Sequence, residues 1–304
     1  MRALIFLIFG LIAQIQMGFA QSAPVHGGQA AANPATPSGG NPFLRYFTEA
    51  EWYLSWGTST QSWANTDIHV VQPSLGNDFT ISSVRGVDDG FGLPQILQGN
   101  LFGPQYNVRI GRFFDEARTI GVEFSLDHTK YSTVIGQVAP VSGLVGGVPT
   151  NAPFALTQQF FSEILHNGAN HVMISGVYRV PLLGQVNDTW SVSALMKVGG
   201  GVMLPHTTDT VMGLTNNVGP KTFGNAVGLT NGWWQLNGWT TGAEAALRFV
   251  LYKPVYIEVS DKVAYAWLAD LPAAQGNISH SLWMNEIVAS LGITFDGHTF
   301  SNRH

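Results

Sequence analysis

The stretch "TIGVEFSLDHTKY", residues 119–131, alternates between two kinds of side chain. Its apolar positions are Ile120, Val122, Phe124 and Leu126. The positions between them are small or charged: Gly121, Glu123, Ser125 and Asp127. This period of two is typical of a strand with one apolar and one polar face. If the apolar face contacts lipid, the carboxylates of Glu123 and Asp127 point inward, and the sheet is a membrane barrel.

The N-terminus predicts export. Residues 1–20, "MRALIFLIFGLIAQIQMGFA", combine a basic residue, an apolar run and small residues near the end. That order predicts a signal peptide cleaved after Ala20, and the apolar run is too short to span a membrane. Residues 21–44 are rich in Ala, Pro, Gly and Ser, so we expect a disordered lead-in. We assign 45–297 to the barrel and 298–304 to a C-terminal tail.

The composition favours an outer-membrane protein. Hydrophobic residues make up 45% of the chain and charged residues 11%, which is about half of the usual globular share. The absence of cysteine excludes disulfides and thiolate metal sites. A net charge of −5 argues against nucleic acid as a partner. The sequence therefore predicts localisation in the bacterial outer membrane.

Eight segments of ten residues or more follow the strand pattern. They are 50–59, 105–114, 119–134, 171–181, 189–204, 238–252, 255–269 and 282–295. Short connections (115–118, 182–188, 253–254) alternate with long ones (60–104, 135–170, 205–237, 270–281). This alternation is typical of an all-β, antiparallel transmembrane barrel with short periplasmic turns and long extracellular loops. Residues 66–88 form one more possible hairpin, which we place in the first loop; its inclusion in the wall would give ten strands.

Charged residues of both signs fall on the inward face of the predicted strands. A small barrel is filled by its own side chains, so this set predicts a lumenal network of buried ion pairs, with a gated ion path as the alternative. The set is Arg109, Glu123, Asp127, Arg179, Lys197, Glu244, Arg248, Glu258, Lys262 and Glu286. Two charged residues break the pattern. Arg112 is predicted to reach the membrane interface, and Asp261 suggests a bulge or a slip of phase.

Two resemblances support this architecture. The last strand ends in an aromatic residue, Phe295, and looks like the closing strand of outer-membrane barrels; the eight-strand plan resembles the small OmpA/OmpX type. The motifs "YLSWG" (53–57), "DIH" (67–69), "DFTI" (78–81) and "DHTKY" (127–131), in this order, resemble a family of uncharacterised bacterial outer-membrane proteins. The resemblance implies fold and location, and it implies no particular activity.

Candidate sites of chemistry are sparse. Six histidines map to outer loops or strand tops, where metal capture or pH sensing would place them, but no ligand spacing is recognisable and no metal is predicted. They are His69, His128, His166, His171, His206 and His280. "DHTKY" followed by Ser132 resembles a nucleophile–base–acid set, yet His128 lies in the outward phase, so no catalytic residue is assigned. Trp233 and Trp234 are candidates for contact with a partner, a glycan or the outer leaflet. The alternative is that they extend a belt of aromatic residues at the membrane interface, which the strand ends nearest the loops are predicted to form with Tyr131, Trp239, Trp267 and Trp283.

The predicted function is that of a structural or surface-interaction barrel with a filled lumen. Its expected partners are outer-membrane lipids, lipopolysaccharide and an unidentified surface partner, with no nucleic acid and no cofactor. A lipid-modifying hydrolase or a narrow channel remains the alternative.

Overall fold

The computed structural model describes residues 51–88, 90, 92–186, 188–216, 218–229 and 232–295. The predicted signal peptide, the lead-in, residues 45–50 and the C-terminal tail lie outside the described residues. Strands are numbered in chain order: β1 (Glu51–Trp63), β2 (Thr66–Gln72), β3 (Asn77–Val84), β4 (Gly86–Val87), β5 (Tyr106–Phe113), β6 (Ile120–Thr129), β7 (Ser132–Thr133), β8 (Val138–Val145), β9 (Val148–Ala155), β10 (Phe161–Ile164), β11 (Ala169–Leu183), β12 (Ser191–Pro205), β13 (Thr208–Val211), β14 (Leu214–Thr215), β15 (Val227–Gly228), β16 (Trp234–Gln235), β17 (Gly238–Tyr252), β18 (Val255–Ala273) and β19 (Gly276–Phe295).

Helical structure is minor. Among the described residues, strands are connected by one short helix, α1 (Leu93–Leu97), and by two single turns of 3-10 helix, Pro73–Leu75 and Phe223–Asn225. Within the described part of the chain, no helix is long and apolar enough to cross a membrane.

The strands close into an antiparallel barrel. The ring runs β1-β5-β6-β11-β12-β17-β18-β19, and β19 pairs back with β1. The pairing that starts at Trp52 passes once around these eight strands and returns to β1 at Ser62, ten residues further on. A stagger of this size tilts the strands by roughly 35–45° and leaves an interior that side chains can fill. The antiparallel barrel predicted from the alternating pattern is therefore confirmed.

The two faces of the wall alternate as the sequence indicates. Along β6, Glu123 and Asp127 are buried inside the barrel, whereas Phe124 is 44% exposed on the outside. The exposed outer face is apolar on all sides of the ring: Leu54, Ile110, Phe124, Ile174, Val198, Val259, Val263, Trp283, Leu291 and Ile293. Inside, a Cβ at Gly111 would lie 2.1 Å from the ring of Tyr53, so this glycine gives the tyrosine its space against the wall.

The connections differ at the two ends of the ring. At one end, hereafter the turn end, only 114–119, 184–190 and 253–254 join ring strands; at the other, 64–105, 130–168 and 206–237 do so. The predicted loop 270–281 is wrong, because β18 and β19 continue as one hairpin to residues 274–275. A register shift between Leu268 and Leu271 interrupts the alternation of β18. The period-two pattern therefore does not continue past this point in the sequence.

The hairpin of 66–88 lies outside the closed ring. β2 pairs with the outer part of β19 (Asn277 to His280), β3 pairs with β8, and β8 pairs with β9. A second sheet, β14-β13-β10-β7-β4, covers the same end. We call β2–β4, β7–β10, β13, β14 and the adjoining ends of β11, β12, β18 and β19 the cap. The part of the eight-strand ring that extends along β1 from Trp52 to Ser62 is called the lower barrel.

Two residues that break the alternation have separate explanations. The predicted bulge at Asp261 is wrong: the pairing of β18 is regular from Tyr256 to Leu268, and Asp261 stays on the outer face, where its carboxylate accepts a hydrogen bond from the amide of Asn285. Arg112 lies at the turn end with its guanidinium 5.4 Å from the ring of Trp52.

Candidate functional site

The interior of the lower barrel contains all ten charged residues of the inward set, and none is more than 8% exposed. At their centre, the Lys197 ammonium, on β12, lies 3.0 Å from both Glu123 and Glu244 and 2.8 Å from Glu258. These carboxylates come from β6, β17 and β18, so one cation joins strands from three parts of the wall.

Arg109, on β5, extends the network toward the cap. Its guanidinium lies 3.4 Å from Glu123 and 3.6 Å from Glu244, and it forms an ion pair with Asp127. Lys262 pairs with the same Asp127 carboxylate. Glu286 accepts hydrogen bonds of 3.0 Å from the side-chain amides of Gln61 and Asn107.

Toward the turn end, aromatic rings surround the cations. The Arg248 guanidinium pairs with Glu258 at 2.7 Å and lies 4.3 Å from the ring centre of Tyr53 and 4.1 Å from that of Tyr256. Cation–π contacts of this kind stabilise a guanidinium that has lost its water.

At the turn end, Arg179 contacts both an aromatic ring and an acid that the predicted set did not include. Arg179 lies 3.7 Å above the ring of Phe113 and pairs at 2.7 Å with Glu51. Glu51 is two residues from Tyr53 and shares its inward phase on β1, so the alternation itself contained the signal for it.

The network brings opposite charges together at several levels of the lumen. Burying an ion in a dry interior is costly unless it is paired and hydrogen-bonded, and here each cation faces at least one carboxylate. Such an arrangement holds the walls together and fills the space between them.

The six histidines are dispersed. His171, which the sequence places at a strand top, lies inside the barrel near the start of β11, where its Nδ1 is 2.8 Å from the Thr240 hydroxyl. His128 is buried under Tyr106, at 4.6 Å between ring centres, with its Nδ1 2.7 Å from Asn170. The other four belong to the cap or its connections: His69, His166, His206 and His280. Among the described residues, no three His, Asp or Glu side chains converge as metal ligands would.

The cap contains a buried acidic pair that the sequence did not indicate. Glu163 and Asp209 are direct partners across β10 and β13, and both are fully buried. His280 lies 3.0 Å from one Glu163 oxygen. Within the described part of the chain, neither carboxylate oxygen of Asp209 has a hydrogen-bond partner. Burial, reinforced by the neighbouring charge of Glu163, raises the pKa of Asp209 well above its usual range.

Ser132 does not contact His128, the histidine nearest to it in sequence, but contacts His166. Its hydroxyl lies 2.7 Å from Nε2 of His166 in an exposed part of the cap. His128, the histidine of "DHTKY", instead faces Asn170. The Ser132–His166 contact has the geometry of a nucleophile and a base, but acyl transfer also needs an oxyanion site and exclusion of water.

The two candidate tryptophans pack against the protein and are half-buried. The Trp233 ring lies 4.0 Å from that of His206, and the ammonium of Lys221 is 5.7 Å from the Trp233 ring centre. The indole of Trp234 donates a 2.9 Å hydrogen bond to the carbonyl of Asn167. Neither ring therefore projects freely into solvent.

No family model matches the chain, and no curated protein matches it. Among solved structures, the chain is similar to the outer membrane protein OprG from Pseudomonas aeruginosa, at 9% identity and a TM-score of 0.36 over 83% of this chain and 99% of that one. Neisserial surface protein A is similar at 8% identity and a TM-score of 0.34, over 82% and 98%. Ail of Yersinia pestis, in complex with sucrose octasulfate, matches at 11% and 0.26, over 79% and 98%.

At these identities and TM-scores, the likenesses add no argument beyond the fold that the strand pairing defines. The resemblance of the four motifs to an uncharacterised family stays a prediction.

Proposed function

We propose that this protein is an integral barrel of the bacterial outer membrane, with a lumen closed by its own side chains and a cap that presents the interaction surface. The observation that carries the proposal is the inversion of the lower barrel: buried ion pairs inside, exposed apolar side chains outside. A water-soluble barrel would have the opposite arrangement, because apolar surface in water is unfavourable.

The outer face supports insertion in lipid. Ile174, Val198 and Leu291, on three different strands, are all exposed large apolar residues. Soluble monomers rarely expose a contiguous apolar surface that surrounds the whole molecule. All backbone groups of a closed ring are paired between strands, which is the condition for crossing a bilayer with β-structure.

The interior supports a closed lumen. Lys197 and Arg109 each contact carboxylates from other strands near the axis, which leaves the centre filled by side chains. Small barrels have room for little else. The protein is therefore proposed to act through its surface, with membrane lipid and lipopolysaccharide as its surroundings and an unidentified partner at the cap.

Folding and conductance measurements test this proposal. Protein refolded into phospholipid vesicles should migrate differently on a gel before and after boiling, as a stable barrel does. In planar bilayers it should give no large, stable conductance step. A reproducible porin-sized current would contradict the closed lumen, and identical mobility with and without boiling would contradict the inserted barrel.

The proposed orientation places the cap outside the cell and the short turns in the periplasm, after removal of residues 1–20. Asn151→Cys in the exposed β9 and Gln185→Cys in the turn 184–190 test it, because the native chain has no cysteine. An impermeant thiol reagent should label Asn151→Cys on whole cells, and Gln185→Cys only after the outer membrane is permeabilised. The reverse pattern would invert the topology.

One contact favours a second candidate function, hydrolysis of a lipid ester. The 2.7 Å contact between Ser132 and His166 has the distance that a nucleophile and its base require. A fluorophosphonate probe should label the native protein and not Ser132→Ala if this serine is activated. An unlabelled native protein would rule out the hydrolase.

A further inference from the structure

The connection between β4 and β5 contains the segment Gly92–Pro104. Its sequence, "GLPQILQGNLFGP", has no charged residue. Its large apolar side chains are exposed: Leu97 is 87% exposed and Phe102 65% exposed, and Leu93 and Leu101 are also exposed. In water, four such side chains on a thirteen-residue segment would be unfavourable, because each exposes apolar surface.

Polar contacts hold Gly103 and the two flanks of this segment in place. Gln105 is buried; its carbonyl accepts a 2.8 Å hydrogen bond from Thr58, and its side-chain amide donates to the carbonyl of Gly90 at 2.8 Å. The ammonium of Lys130 donates to the carbonyl of Gly103 at 3.1 Å. The exposed apolar side chains are therefore presented by an anchored segment.

The anchored segment lies against the outer wall of the lower barrel. Phe102 packs edge-on against Tyr106, the first residue of β5, at 5.2 Å between ring centres. Tyr106 is opposite Thr58, halfway along β1, so the ring of Phe102 reaches well below the upper limit of the lower barrel at Ser62.

Between Phe102 and the wall lies a cleft of about 330 Å³. Its walls are formed almost entirely by carbon, from β1, β5 and β19: Leu54, Trp56, Val108, Leu291 and Ile293. The cleft is continuous with the exposed apolar band of the ring, because Leu54, Leu291 and Ile293 belong to both. With so little polar surface, it has almost no group that would bind a headgroup or the backbone of a peptide.

We propose that Gly92–Pro104 inserts into the outer leaflet and that its cleft holds one acyl chain of a membrane lipid, clamped between Phe102 and the wall. This inference rests on the proposed function, since it requires the lower barrel to be in the bilayer. The whole outer wall contacts lipid in this proposal, but this sector would also have a defined binding site for a single lipid chain.

Depth measurements on spin-labelled cysteines test the insertion. Leu97→Cys and Phe102→Cys, in phosphatidylcholine vesicles, should be more accessible to oxygen than to a water-soluble nickel chelate. Leu291→Cys is the control for the lipid-facing wall, and Val148→Cys, in the exposed β9, is the control for water. If Leu97→Cys and Phe102→Cys behave like Val148→Cys while Leu291→Cys is in lipid, the insertion is wrong. If Leu291→Cys is also in water, the inserted barrel itself is wrong.

The acyl clamp is tested with spin-labelled phosphatidylcholine. Removal of the Phe102 ring in Phe102→Ala should lower the number of motionally restricted chains per barrel. Ile174→Ala, on the exposed wall away from the cleft, should change it less. Gel mobility without boiling verifies that both variants are folded. An equal count in native protein and Phe102→Ala would overturn the clamp and leave the insertion to be judged by the depth measurements.

Discussion

The lower barrel and the cap share the long strands β11, β12, β18 and β19, yet the inward side chains of β18 and β19 differ in chemistry between the two regions. Inward positions of β18 are Glu258, Ser260 and Lys262 in the lower barrel and change to Ala266, Leu268 and Leu271 in the cap. β19 changes in the same way, from Glu286 to Leu282 and Ile278. The strand is continuous across the change, so strand geometry alone does not select the interior residues.

The difference follows from the surroundings proposed for each region. In the cap, water outside drives apolar side chains inward, and a large cluster with Phe79, Phe161 and Leu165 forms its core. In lipid, apolar side chains gain little by moving inward, so the lower barrel is held by its strand pairing and ion pairs. The comparison predicts that the same kind of substitution has different consequences in the two regions.

The largest expected effect is loss of the central cation of the lower barrel. Lys197→Met leaves Glu123, Glu244 and Glu258 with one fewer counter-charge in a buried site. Removing one partner from a buried ion pair costs about 3–5 kcal/mol. Urea unfolding of the vesicle-inserted protein, followed by tryptophan fluorescence, measures the loss of unfolding free energy.

Two further variants make this measurement specific. Lys221→Met, at an exposed position of the connection 206–237, should change stability by less than about 0.5 kcal/mol. Adding Glu244→Gln to Lys197→Met should recover part of the loss, because it removes one uncompensated carboxylate. If the double variant is no more stable than Lys197→Met, the cost comes from packing and not from charge.

The next effect compares two exposed apolar residues with different surroundings. Ile174, on the lower barrel, is 63% exposed, and Val148, in the cap, is 61% exposed. Ile174→Arg should cost about 2–4 kcal/mol if the position is near the bilayer midplane, whereas Val148→Arg should cost less than about 0.5 kcal/mol. Unfolding free energies in vesicles provide the test. Equal costs at both positions would contradict the proposal that Ile174 faces lipid and Val148 faces water.

Most of the lower barrel could be predicted from the sequence, but little of the cap could. In the lower barrel, each inward residue follows from alternation within its own strand, so Glu123 and Asp127 identify their face locally. In the cap, β2 pairs with β19 and β3 pairs with β8, and no local pattern encodes pairings between segments so far apart. The Glu163–Asp209 pair was missed for this reason, since its members lie in two different predicted loops.

A smaller effect concerns the pH dependence of cap stability. Burial, with the nearby charge of Glu163, raises the pKa of Asp209 above its unfolded value. The folded state therefore holds this proton more tightly than the unfolded state, so the stabilising contribution is complete below the unfolded pKa of about 3.9. It is lost progressively as the pH rises through the raised folded pKa.

Hydrogen exchange of cap amides at several pH values measures this contribution. The stability difference between Asp209→Asn and the native protein should increase in favour of the variant as the pH rises above about 4. Asp270→Asn, an exposed carboxylate at the outer end of β18, is the matched control. A pH-independent difference for Asp209→Asn would show that its carboxyl keeps the same protonation state in folded and unfolded protein.

The smallest expected effect concerns the polar pair on the outer wall. Asp261 and Asn285 hydrogen-bond to each other on the face that otherwise presents Val259 and Val263. Replacing both members of a hydrogen-bonded pair by apolar groups is nearly neutral or stabilising, and in lipid it also removes a carboxylate from apolar surroundings. The double variant Asp261→Val with Asn285→Val should therefore unfold from vesicles with unchanged or slightly higher free energy of unfolding.

The matched pair in the cap is His69 and Asp78, whose side chains are 2.8 Å apart in an exposed position. Its double valine variant should show no gain, because valine there faces water. A clear loss at Asp261 and Asn285 would mean that this part of the wall contacts a polar partner instead of lipid.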